Sequence, residues 1–183
     1  IVGNEPNHKK EWGGEISPEN YAEYLKTFSQ KLKAKSSDFF VLPAALDVSA
    51  RTTRDTLDAT LFWQRMLKAQ PDIFDWVDGL NSHSYPNPNF SGSEKATGRG
   101  TITSFLWEDD YLKSLGVSKN FPIFITETGW AHNMDSLSKG LKPNEIGPKL
   151  EYAFKNIWNN PRVVAVTPFI LNYQDSPFDI FSW

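Results

Sequence analysis

Two glutamates close short apolar runs and could act together. Glu5 ends Ile1-Val2-Gly3-Asn4 and is followed by Pro6-Asn7. Glu127 ends Phe124-Ile125-Thr126 and is followed by Thr128-Gly129-Trp130. A carboxyl can donate a proton when neutral, or attack an electrophilic carbon when ionised. Two carboxyls facing each other across a sugar-sized cleft supply both, which is what glycosidic bond cleavage requires: an acid on the leaving oxygen and an anion beneath the anomeric carbon. Environment alone can split chemically identical glutamates into those roles. A lone Glu is most often a solvated loop charge. These two are set apart by their positions at strand ends and by His83-Ser84-Tyr85, which follows a third apolar run.

The elements that must position them repeat along the chain. Apolar, strand-like runs occur at Ile1–Gly3, Phe39–Pro43, Val77–Asn81, Pro122–Thr126 and Val163–Thr167. Helical patterns fall between them. The first runs from Ser17, a capping residue followed by Pro18, to Lys35, with Tyr21, Tyr24, Leu25, Phe28 and Leu32 as an apolar stripe. The others span about Arg54–Ala69, Ile102–Leu115 and Asn144–Asn159. Leu57, Leu61, Met66 or Leu67, and Ile146, Leu150, Ala153, Phe154 and Ile157 are expected to face inward.

Strands alternating with helices predict parallel βαβ units. The connections after strands are long and polar (Glu5–Glu15, Leu46–Thr53, Ser82–Gly100, Thr128–Pro143), and those leading back to strands are short. That asymmetry predicts an α/β fold of the (β/α)₈ TIM-barrel type, present as a partial barrel of about five parallel strands with four intervening helices. Residues 1–183 read as one domain. A doubly wound sheet would carry a Gly-rich phosphate turn after its first strand, where this chain has an acidic residue and a proline.

Composition narrows the partners. The net charge of −3 and the lack of a concentrated basic surface argue against nucleic acid. No apolar run reaches the roughly 18 residues of a membrane span. Cysteine is absent, and the three histidines show no paired ligand spacing, so neither a metal nor another cofactor is expected. Ser82 and Ser84 flank His83 without a Gly-x-Ser-x-Gly turn, which disfavours a serine nucleophile. Aromatic residues reach 14%, with seven Trp, six Tyr and thirteen Phe. Most of the Phe are expected to fill the core, and Trp beside polar loops suits stacking on carbohydrate.

Gly3-Asn4-Glu5-Pro6-Asn7 resembles the end of strand 4 in the clan A retaining glycoside hydrolases, whose catalytic domain is a (β/α)₈ barrel. Ile125-Thr126-Glu127-Thr128-Gly129-Trp130 resembles the end of strand 7, and His83-Ser84-Tyr85 the His-x-Tyr at the end of strand 6. The resemblance covers the chain as strands 4 to 8. It implies a glycosidase with a carbohydrate substrate, Glu5 as general acid/base and Glu127 as nucleophile. Asn4 would bond a sugar hydroxyl, and Tyr85 would hold Glu127 ionised and oriented. His83 would bond the substrate or the acid/base. Trp130 would stack on a sugar, with packing under its own loop as the alternative. Asp47 would line the cleft or hold a turn. His8 and His132 read as loop residues.

The chain also departs from that pattern. Phe169-Ile170-Leu171 stands where the clan commonly has a Trp floor, leaving Tyr173 and Trp183 as substitutes, and Asn172 lies beside them. The clan's Arg at the end of strand 2 has no counterpart. A sheet of strands 4 to 8 would expose open edges at the Ile1 and Val163 runs, implying self-association or pairing with a missing N-terminal part. The expectation is a portion of a longer enzyme, secreted or at the cell surface. A non-catalytic carbohydrate-binding relative is the competing reading.

Overall fold

The computed structural model describes residues 1–132 and 141–182. Residues 133–140, inside the expected Thr128–Pro143 loop, and Trp183 lie outside the described residues. The fold is α/β. Strands β1 (Leu80–His83), β2 (Ile123–Thr128) and β3 (Val163–Pro168) form a parallel sheet in the order β1-β2-β3. Helices α1 (Pro18–Lys35), α2 (Ala59–Ala69), α3 (Ser104–Ser114) and α4 (Pro143–Asn156) lie between the extended segments.

The first two expected strands are extended runs that never become a regular ladder. They meet at one parallel bridge, Val2 to Pro43, supported by Val2 N–H on the Leu42 carbonyl at 2.9 Å. Pro43 has no N–H to donate, and Gly3 leaves the extended region at φ +89°. The second run joins β1 through Asp78 N–H on the Val41 carbonyl at 2.8 Å and Asn81 Nδ2 on the Pro43 carbonyl at 3.1 Å. The five runs therefore follow each other in space in chain order. A doubly wound sheet would reverse direction partway. The sequential order is that of a barrel wall, and the chain forms part of one.

Helix packing corrects several sequence expectations. On α1 the buried face is Tyr21, Ala22, Leu25 and Ser29, so the stripe is rotated away from Tyr24 and Phe28. Those two rings are exposed and stack on each other at 5.8 Å. Tyr21 ties α1 to both edge runs: its hydroxyl donates to the Val2 carbonyl at 3.0 Å and accepts from Ala44 N–H at 2.6 Å. Helix α2 starts at Ala59 instead of Arg54. Thr53 and Thr56 bond each other and nearby backbone in a turn, which competes with helix, and Asp58 then caps Thr60 N–H at 2.9 Å. Leu61 and Phe154 face outward.

The core joins Phe62, Trp63 and Met66 of α2, Phe105 and Leu112 of α3, Ala153 of α4, and Ile123 and Ile125 of β2. Strand β3 differs from β2 in being open to solvent, with Val164 59% exposed. No helix among the described residues is long and apolar enough to cross a membrane.

Candidate active site

The Glu5 backbone is held from both sides. Its N–H donates to the Ala45 carbonyl at 3.1 Å. Its φ of +35° lies in the left-handed region that non-glycine residues avoid, a local strain the surroundings must hold. Asn7 supplies part of that hold. It is completely buried, with Nδ2 donating to the Asp47 and Leu57 carbonyls at 2.9 and 3.1 Å. Its Oδ1 accepts from Asp47 N–H at 3.1 Å. The Asn-Glu-Pro-Asn stretch is thus pinned to the next loop.

His83 and Glu127 meet through a break in strand register. Leu80, Asn81 and Ser82 pair with Ile123, Phe124 and Ile125, and an irregularity after Ser82 then sets His83 beside Glu127. His83 Nδ1 lies 2.8 Å from Glu5 Oε1, and Nε2 lies 3.6 Å from Glu127 Oε1. The Tyr85 hydroxyl donates to Glu127 Oε2 at 3.0 Å. One carboxylate oxygen of Glu5, one of Glu127 and a ring nitrogen of His83 lie within 4.8 Å of one another. The sequence groups these three residues in one site without any paired metal-ligand spacing, yet together they have the donor types to hold a divalent ion.

The electrostatics differ from the sequence expectation at Glu127. Burial pushes its pKa above the ordinary carboxylate value, and His83 and the Tyr85 hydroxyl offset this only in part. Tyr85 therefore favours the ionised form without securing it. Burial and the neighbouring Glu127 charge push Tyr85 far above its own ordinary value.

These groups open into a cavity of about 500 Å³, within the size range of small-molecule sites. Asn4, His8, Glu11, Asp47 and Ser49 form a polar wall. Asp47 serves both the turn and the cleft: one oxygen accepts from Ser49 and Ala50 N–H, and the other lies 2.9 Å from His8 Nε2. The bond to Asp47 raises the pKa of His8. For Asp47, burial acts upward, but His8 and the turn N–H groups outweigh it and the net direction is down. Sequence reading passed over His8 as a loop residue.

Another part of the lining is aromatic. Tyr85, Phe90, Phe169, Phe178 and Phe181 line it, with Phe90 and Phe181 edge-to-face at 5.2 Å and Phe169 and Phe181 at 5.4 Å. These phenylalanines, expected in the core, take the place assigned to Tyr173 and Trp183. Tyr173 is exposed outside the cleft lining, edge-on to Phe178 at 6.0 Å, and Trp183 is not among the described residues. Asn172 is exposed too. Phe169 could have been found from its place just after the Val163 run.

Trp130 does not face the cleft. It is 2% exposed, and its indole N–H donates to the Gly92 carbonyl at 2.8 Å. Ala131 N–H donates to the Phe90 carbonyl at 2.9 Å. This segment supports the loop that carries Phe90, and a buried ring cannot stack on a sugar. His132 binds the Ser182 carbonyl at 2.8 Å, away from the cleft lining.

Behind β1, Glu108 of α3 is fully buried, and neither oxygen has a hydrogen-bond partner among the described residues. Burial pushes its pKa up to about 7.

No protein-family profile and no curated protein sequence matches this chain. Its fold does match solved structures. A GH128 (subgroup II) endo-β-1,3-glucanase from Sorangium cellulosum superposes with a TM-score of 0.60 at 15% identity, over 96% of this chain and 60% of that one. A GH113 β-1,4-mannanase gives a TM-score of 0.39 at 14% identity, over 85% of this chain and 53% of that one, too distant to add weight. The chain thus spans about 60% of the glucanase's length, and what the two share is the fold.

Proposed function

We propose that this chain carries the catalytic centre of a retaining glycosidase acting on a poly- or oligosaccharide. The observation that carries this reading is the approach of Glu5 and Glu127, with oxygens within 4.8 Å and His83 between them. Inverting enzymes hold their carboxyls about 6.5–9.5 Å apart to admit a water, whereas retaining enzymes hold them at about 5–5.5 Å. Glu127 attacks the anomeric carbon as the glycosidic C–O bond breaks, and Glu5 gives its proton to the leaving oxygen. Water, deprotonated by Glu5, then displaces Glu127 and restores both groups. Asn4 and Glu11 offer hydrogen bonds to sugar hydroxyls, and the phenylalanine wall offers apolar faces. The glucanase likeness makes β-1,3-glucan the first substrate to try.

The test uses Glu127→Ala. Turnover of an activated aryl glycoside should vanish and return with azide as a glycosyl azide of inverted anomeric configuration, because azide attacks once from the face that Glu127 occupied. Rescue with Glu5→Ala alone would exchange the two roles. A non-catalytic carbohydrate-binding protein is the second reading, favoured by the net upward pKa of Glu127. Titration calorimetry showing sugar binding without any hydrolysis would select it.

A further inference from the structure

His83 meets Glu5 and Glu127 through different ring nitrogens, and the two contacts are unequal. Nδ1 lies 2.8 Å from Glu5 Oε1, a hydrogen bond. Nε2 lies 3.6 Å from Glu127 Oε1, beyond hydrogen-bonding distance. An ionised Glu5 can only accept, so Nδ1 carries the proton and Nε2 keeps a lone pair. Glu127 is not free to turn Oε1 aside, because the Tyr85 hydroxyl holds its other oxygen at 3.0 Å. When Glu127 is ionised, two electron-pair donors therefore face each other with no proton between them. His83 is 4% exposed, which limits how far solvent can relieve that opposition.

We propose that this gap is a binding site for a divalent transition-metal ion of the zinc class, with His83 Nε2 and Glu127 Oε1 as its direct protein ligands. Tetrahedral ligands about 2.1 Å from zinc lie about 3.4 Å from one another. The 3.6 Å gap already has nearly that span. A metal-bound histidine is oriented and made more basic when its other ring N–H donates to a carboxylate, and Glu5 accepts that bond here. The Glu5 and Glu127 oxygens and the ring nitrogen all lie within 4.8 Å of one another, so two negative charges meet the two positive charges of the ion. Imidazole beside carboxylate suits zinc-class ions better than magnesium or calcium, which favour oxygen ligands alone. Glu11 and Asp47 add negative charge to the same cleft, against Lys10. The consequence for turnover rests on the glycosidase reading: an ion on Oε1 covers the attacking carboxylate, so it blocks the reaction instead of assisting it.

The experiment is titration calorimetry of the protein with Zn²⁺ at neutral pH, which needs no turnover. One ion should bind per chain at the site. Glu127→Gln, which keeps the shape of the side chain, and His83→Gln should each weaken that binding at least tenfold. Glu5→Gln should weaken it by about tenfold through the histidine it orients. His8→Gln changes the other histidine of the cleft lining and should leave the affinity within about twofold. Binding that survives both Glu127→Gln and His83→Gln, or that His8→Gln removes, overturns the site, as does a parent protein that takes up no Zn²⁺. A second measurement follows aryl glycoside hydrolysis. Zn²⁺ should raise KM without lowering kcat, and a chelator should reverse it; a KM unmoved at saturating Zn²⁺ overturns the proposal. Hydrolysis without Zn²⁺ binding at these residues sinks the metal site and leaves the catalytic reading standing. Zn²⁺ binding there, without hydrolysis of any aryl glycoside in metal-free solution, supports the metal site and sinks the catalytic reading.

Discussion

At the residue scale the governing contest is at Glu127, between burial and the Tyr85 hydrogen bond. Burial raises the carboxyl's pKa, and the hydroxyl and His83 pull it back in part. A nucleophile must be ionised, so the acid limb of kcat/KM should lie above the ordinary carboxylate range. Removing the hydroxyl removes a bond to the charged form only. Tyr85→Phe should therefore shift that limb to still higher pH, read from a pH profile of aryl glycoside hydrolysis; an unmoved limb would deny Tyr85 a positioning role. The neighbourhood of Glu5, His83, Tyr85 and Glu127 is legible in sequence because each stands at the end of an apolar run. Trp130 takes the packed alternative instead of the stacking one, and sequence leaves the choice open because its burial depends on Gly92 and the Phe90 loop, far away in sequence. Phe169, Phe178 and Phe181 are missed because a core phenylalanine and a cleft phenylalanine carry the same apolar signal.

At the element scale, helices are legible where caps are. Ser17 and Pro18 fix the start of α1, while the Thr53–Thr56 turn defeats the expected start of α2. The register break in β1, which sets His83 beside Glu127, leaves no mark in composition or periodicity. Helix α3 carries a cost of its own. Glu108 is fully buried, and burial outweighs the nearby Ser82 hydroxyl and His83 to raise its folded pKa to about 7, above the 4.5 expected when unfolded. Below pH 4.5 the acid is neutral in both states and costs nothing. Between 4.5 and about 7 only the unfolded chain gives up the proton, so stability falls as pH rises, then levels off above that window. The gap corresponds to about 3 kcal/mol. Glu108→Gln should match the parent near pH 4 and exceed it by up to that amount near pH 8, measured by urea unfolding across pH. A constant offset at both pH values would mean the carboxyl does not titrate across folding.

At the scale of the whole molecule, sequential strand order makes this chain part of a barrel wall, in which β3 is the last strand among the described residues. Its backbone has no further strand beside it among the described residues, and Val164 is 59% exposed. An unpaired, apolar strand edge invites pairing with another chain. In sequence the Val163 run is legible as a strand, though which of its faces lie open depends on packing that periodicity cannot give. The 183-residue chain by itself, at 20.8 kDa, should therefore associate as concentration rises. Sedimentation velocity would show heavier species growing with concentration. Val164→Lys places a charge on the edge strand and should return the chain toward monomer without moving the Glu5–Glu127 site, since Val164 does not line its cavity. Association unchanged by Val164→Lys would place the sticky surface elsewhere, with the exposed Ile1 edge as the next to charge.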